Sequence, residues 1–171
     1  RLEKKKNTQR LVEAFLSFAE QESDSLCVLV GDPGFGWNET RALIDRHPQG
    51  HRVRVLGYIS EGEKRALLSA AQAYVQPSLY EGFGLPVLEA MACGTVVVSS
   101  SAGSLREVGA GGGALFVDPY SADSIAAGMA AVQRLSAVDR AHLAVRGTAH
   151  AAQFTWHETA KKTLAAFERY V

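Results

Sequence analysis

No apolar run in the chain approaches the roughly 18 to 20 residues that a membrane-spanning helix requires, and no charged-then-apolar opening marks a secretory signal. The sequence therefore reads as that of a soluble, cytoplasmic protein. Neither sign of charge is in excess: 18 Lys plus Arg balance 18 Asp plus Glu. That balance removes the electrostatic case for a nucleic-acid or anionic-membrane surface, and leaves a local basic cluster able to serve a small anion. One such cluster is present, Arg1 with Lys4, Lys5 and Lys6. Cysteine is scarce. Cys27 and Cys93 sit inside apolar runs with no C-x-x-C and no His at partner spacing, so neither a zinc site nor a disulfide framework is expected. The five histidines are scattered, none at metal or triad spacing.

What is present suffices for one sizeable core, since 47% of the 171 residues are hydrophobic. Leu11, Ala14, Phe15 and Phe18 recur at helical spacing, with Asn7 or Thr8 as cap, which predicts a helix over 7–21. The period then changes to a continuous apolar run over 26–30, the pattern of a parallel strand buried on both faces. Helices over 39–46, 61–71 and 86–93 alternate with strands over 52–56, 73–76 and 95–99. A helical turn at 104–108 precedes a last strand at 114–117. This alternation predicts an α/β domain built on a Rossmann-like, doubly wound parallel sheet. Three further helices follow, over 121–135, 139–154 and 156–171. With no repeat or linker, residues 1–171 read as a single domain.

In open parallel sheets, ligands bind beyond the carboxyl ends of the strands. The informative loop follows Gln76 and runs Pro77-Ser78-Leu79-Tyr80-Glu81-Gly82-Phe83-Gly84-Leu85-Pro86-Val87-Leu88-Glu89-Ala90-Met91-Ala92-Cys93-Gly94. Gly82 and Gly84 let backbone come close to a ligand, and Pro86 suits the first turn of a helix. Such a helix start attracts a phosphate. Glu89, about one turn inside, can turn its carboxylate to the same place and accept two hydroxyl hydrogen bonds, as ribose offers. Glu81, on the loop itself, can reach whatever is attached beyond the phosphates. The run Gly31 to Gly36 has the wrong glycine spacing for a dinucleotide fingerprint and reads as a loop lining the same cleft. Gly109 to Gly113 precedes a strand and reads as a turn.

The stretch 77–94 resembles the E-x7-E signature of the family 4 retaining glycosyltransferases, which have the two-Rossmann-domain GT-B architecture. The likeness extends through 95–99, Glu107 and Val117-Asp118-Pro119, and backwards through Gly57-Tyr58, Gly31-Asp32 and residues 1–7. It covers the chain as the carboxy-terminal, donor-binding half of such an enzyme. The resemblance implies that Glu89 holds the donor ribose, that Glu81 contacts hydroxyls of the donor sugar, and that the amides of Phe83, Gly84 and Leu85, beside Gly82, face sugar and phosphate. It implies that Arg1 and Lys6 neutralise the leaving diphosphate, with Lys5 the alternative because this chain has Lys4-Lys5-Lys6-Asn7 where the family often has Pro-Arg-Lys-Asn. Gly31 lines the cleft, and Tyr58 and Ile59 meet the nucleobase. No metal or other cofactor is implied, since the cations and the helix start take that role.

Phe35-Gly36-Trp37 followed by Glu39 resembles the mannosyltransferase-like members that build bacterial surface polysaccharides, which points to GDP-mannose as donor, with a UDP-hexose as alternative. A glycan or lipid-linked acceptor would be held by an amino-terminal domain preceding Arg1, and the whole enzyme could sit at the inner face of a membrane. Two other classes compete on sequence grounds. Nucleotide-sugar 2-epimerases share the architecture but not the 77–94 string. A non-catalytic nucleotide-binding or receiver-like regulatory domain would want an acidic cluster at strand ends, which Asp32 and Asp118 imitate poorly.

Overall fold

The structure is a computed structural model that describes residues 1–22 and 24–169. It is a Rossmann-like α/β domain whose strands are all parallel. The helix α1 (Thr8–Gln21) leads to β1 (Cys27–Val30), α2 (Trp37–Arg46), β2 (Val53–Gly57), α3 (Glu61–Ala70), β3 (Tyr74–Gln76) and α4 (Leu85–Ala92). Then come β4 (Val97–Ser100), α5 (Leu105–Ala110), β5 (Leu115–Val117), α6 (Ala122–Gln133), α7 (Ala137–Ala151) and α8 (Trp156–Glu168). The last two residues of the helix expected over 156–171 lie outside the described residues. Single turns of 3-10 helix at Lys4–Lys6 and Pro48–Arg52 were not expected from the pattern.

The strands hydrogen-bond in two groups, β1 with β2 and β3-β4-β5 in that order, over one shared core. Val96 and Val98 face that core with Leu29, Val53 and the apolar sides of α1 and α6, whereas Val97 faces the other way among Val87, Met91, Leu105 and Val108. Strand β4 is thus buried on both faces, as parallel strands between helical layers are. Strand β1 corrects the expectation made for it: Leu29 is buried, but Val28 and Val30 are 41% and 38% exposed. Its partner β2 shares the pattern, with Val53 buried and Leu56 47% exposed.

Helix α1 has no basic residue of its own in its last turn. Arg52, only 5% exposed, supplies the charge from the turn just ahead of β2. Its guanidinium donates to the carbonyls of Ala19 at 2.6 Å, Glu22 at 2.5 Å and Ser25 at 2.9 Å. A cation there meets the negative end of the helix dipole and the unpaired carbonyls together. Arg52→Met is therefore expected to lower unfolding free energy by about 3 kcal/mol, because three charge-assisted bonds go and the Ala19 acceptor stays buried. Denaturant titration measures this, and Arg52→Lys, with a single donor head, is expected to recover only part of it.

At the other end of α1, Asn7 occupies the cap position with φ 59° but makes no capping hydrogen bond. Its buried amide instead donates to the carbonyls of Pro77 at 2.9 Å and Pro119 at 2.6 Å, while Arg10 donates to its oxygen at 2.8 Å. The side chain expected to serve its own helix ties the chain start to the loops after β3 and β5.

Candidate functional site

The first residues thread between two strand ends. The Leu2 amide donates to the Asp32 carbonyl at 2.9 Å and Leu2 makes a parallel bridge with Pro33, which holds the segment against the loop after β1. The Leu79 amide donates to the Lys5 carbonyl at 2.9 Å, which holds it against the loop after β3. Gly31 has φ 123°, and a Cβ there would stand 3.2 Å from the Arg1 nitrogen, so glycine is what lets the chain start pass. The basic cluster is in this way delivered to the carboxyl edge of the strands, next to the 77–94 loop.

Lys6 and Glu81, residues that the sequence reading gives to different parts of a donor, meet directly. The Lys6 ammonium donates to both carboxylate oxygens of Glu81, at 2.6 and 2.8 Å. Gln76 at 2.8 Å and Ser78 at 2.7 Å donate to the same carboxylate, and Ser104 donates to the Glu81 backbone carbonyl at 3.1 Å. Burial pushes the Glu81 carboxyl up, but the hydrogen bonds from Lys6 and Ser78, the charge of Lys6 and the hydrogen bond from Gln76 outweigh it and hold the group below its ordinary value. Glu81 is therefore fixed as an anion and acceptor. Lys5, largely exposed, pairs with Glu3 at 3.4 Å, and Arg1 is exposed.

Helix α4 begins where the glycine pattern places it. Gly84 caps it with φ 101°, and a Cβ there would press to 2.8 Å on Leu105. Pro86 sits in the first turn and offers no amide, and the Val87 amide turns back to the Gly84 carbonyl at 2.9 Å. Phe83 and Leu85 are exposed at 46% and 52%, on the outside of this turn. Phe83 also stands edge-on to Phe154 at 6.2 Å, and Phe154 edge-on to His150 at 5.1 Å, which braces the loop against the end of α7. Five residues into α4, Glu89 is 40% exposed and takes the Lys64 ammonium of α3 on one carboxylate oxygen at 2.9 Å. Gly57, φ 68°, turns the chain out of β2, after which Tyr58 is 82% exposed and Ile59 half-buried.

The edge thus presents, in sequence around the α4 start, a cation paired with an anion, a glycine-capped helix terminus and a second carboxylate. Such a terminus accommodates phosphate, and a carboxylate one turn inside accommodates hydroxyls. Among the described residues no three His, Cys, Asp or Glu side chains come together as a metal site. Burial pushes the Cys27 thiol up to about 12, which makes it an unreactive thiol. The sequence reading missed Gln76, Ser78, Ser104 and Lys64. Gln76 and Ser78 could have been found, because they flank the strand end from which the loop springs.

The family profile described as Glycosyl transferases group 1 matches residues 1–145. An O-antigen chain mannosyltransferase B from Escherichia coli is 36% identical over 169 residues, which is 98% of this chain and 44% of that protein. The chain thus spans under half the length of this relative. Among solved structures, Anabaena HepE in complex with UDP-glucose superposes with a TM-score of 0.84 at 25% identity, over 100% of this chain and 47% of that one. The C-terminal domain of a glycosyl transferase group 1 family protein from Francisella tularensis superposes with a TM-score of 0.76 at 25% identity, over 88% of this chain and 80% of that one.

Proposed function

The chain belongs to the glycosyl transferases group 1, and from that premise we propose that its strand edge binds the nucleotide diphosphate part of a sugar donor, for transfer of a hexose with retained anomeric configuration. The observation that carries this is the start of α4, where a glycine at φ 101° opens the helix terminus between the Lys6–Glu81 pair and Glu89. The amides of Phe83, Gly84 and Leu85 face the diphosphate, and Arg1 and Lys6 balance its charge as it leaves. Glu89 accepts from the ribose, Glu81 from the hexose, and Tyr58 with Ile59 borders the base. Lys6 leans from Glu81 toward the phosphates when the donor arrives, keeping one partner as it gains another.

GDP-mannose is the donor we favour, because residues 35–39 resemble those of mannosyltransferases and the Escherichia coli relative carries that name. The UDP-glucose held by the Anabaena structure supports a UDP-hexose as the alternative. The cations and the helix terminus replace a divalent metal in this scheme. A glycan or lipid-linked acceptor docks against a second domain of the whole enzyme.

Calorimetric titration of the chain with GDP, UDP, ADP and their sugar conjugates, in a chelator, tests the proposal. One base is expected to bind with Kd between about 1 μM and 1 mM, the usual range for enzyme substrates. No binding by any of them, or binding only on adding Mg2+, would contradict it.

A further inference from the structure

Lys64 belongs to no part of the motif, yet it is the residue that touches Glu89. It sits in the first turns of α3, with its ammonium 2.9 Å from Glu89 Oε1 and 2.9 Å from Glu61 Oε2. At 28% exposure it is the most enclosed of the three, against 40% for Glu89 and 76% for Glu61. Helix α3 follows at once on the Tyr58–Ile59 turn, and a capping box fixes its start: the Glu63 amide donates to Ser60 Oγ, and the Ser60 amide donates to Glu63. Toward its far end, the Leu68 carbonyl accepts from Thr95 and the Leu68 side chain packs on the α4 core. The Lys64–Glu89 contact is what fastens the base-side end of α3 to α4.

The contact uses one oxygen of Glu89 and leaves Oε2 to accept from elsewhere. A carboxylate has about four acceptor positions, so an ammonium on one oxygen does not use up the group; it sets the rotation of the other. The hydrogen bonds to Glu61 and Glu89 raise the Lys64 ammonium above its ordinary pKa, against the opposing effect of desolvation, so the group is a cation at neutral pH.

We propose that Lys64 is a positioning residue for ribose recognition: it holds the Glu89 carboxylate in the orientation that accepts the vicinal hydroxyls, and so links the base-bordering turn to the ribose site. This rests on the reading of Glu89 given above. A helix whose exposed face carries a lysine between two carboxylates gains little stability from them, since such surface pairs contribute modestly. What the pair does supply is a fixed geometry at a carboxylate that would otherwise rotate freely.

The test compares GDP and UDP, each with its 2′,3′-dideoxy analogue, by calorimetry on the wild-type chain and on Lys64→Met, Lys64→Arg and Glu89→Gln. Whichever base binds, Lys64→Met is expected to shrink the preference for the ribose form over the dideoxy form on the order of tenfold, while affinity for the dideoxy form stays within about twofold. Lys64→Arg should restore most of the preference. A merely structural role would lower both affinities together. If Lys64→Met keeps the wild-type preference, or if it binds the ribose form more tightly because a competitor has been removed, the inference is overturned. Should Glu89→Gln keep the preference, the ribose reading of Glu89 fails first, whatever Lys64 does.

Discussion

Glu81→Gln, made in the full-length enzyme, is expected to lower kcat by about tenfold to a hundredfold, the worth of a charge-assisted hydrogen bond of roughly 1.5 to 3 kcal/mol. Binding of the bare nucleoside diphosphate should weaken by no more than about twofold. The separation follows from the partners: Glu81 is held by Lys6, Gln76 and Ser78 at the loop, whereas Glu89 is held by Lys64 of α3. Removing its charge even frees Lys6 for the phosphates. Steady-state kinetics and calorimetry on the same variant check both halves, and a loss of nucleotide affinity as large as the loss in kcat would mean the roles are misassigned. The pH dependence has a definite sign. Because the Glu81 carboxyl is held below its ordinary value, its pair with Lys6 is complete above that ordinary value, near 4.3, and is lost only as pH falls through the lowered one. On the acid side, the stability that the carboxylate adds over glutamine should therefore decline as pH falls from the ordinary value through the lowered one.

The second large effect is an absence of transfer. Retention requires the leaving diphosphate to be stabilised while an acceptor hydroxyl approaches in a site closed to water. In the proposed scheme Lys6, Arg1 and the α4 terminus serve the leaving-group side, and Tyr58, Leu85 and Phe83 stand open to solvent. The 171 residues alone are accordingly expected to bind donor and to hydrolyse it slowly at most, with transfer far below the roughly 1 per second at which enzymes commonly begin. Incubation with radiolabelled nucleotide sugars and candidate acceptors is the measurement. Transfer at enzymatic rates would show that no second wall is needed.

Much of this site could be read from residues in a row. Gly82, Gly84, Pro86 and Glu89 are local to one turn, and the conformations they dictate, a left-handed glycine and a proline-started helix, appear where the string puts them. What could not be read was pairing at a distance. Lys6 and Glu81 lie 75 residues apart, and Lys64 and Glu89 lie 25 apart; neither spacing leaves a periodic trace. The basic cluster at the chain start was legible as a place for an anion, and the first anion that Lys6 meets is Glu81. Asn7 stands at the cap position, one of the two expected, but its side chain was not legible: a cap residue is defined by its own helix, whereas this amide is used by Pro77 and Pro119. The exposed face of β1 was hidden because an apolar run cannot say whether a helix will cover it.

The proposed nucleotide site is one helix terminus and the carboxylate behind it, so Glu89→Ala is the most direct measurement. Calorimetry of the folded variant with the nucleoside diphosphate that the wild type prefers should show affinity reduced about tenfold to a hundredfold, with circular dichroism unchanged. Affinity within twofold of wild type would contradict the claim that this edge holds a nucleotide by its ribose.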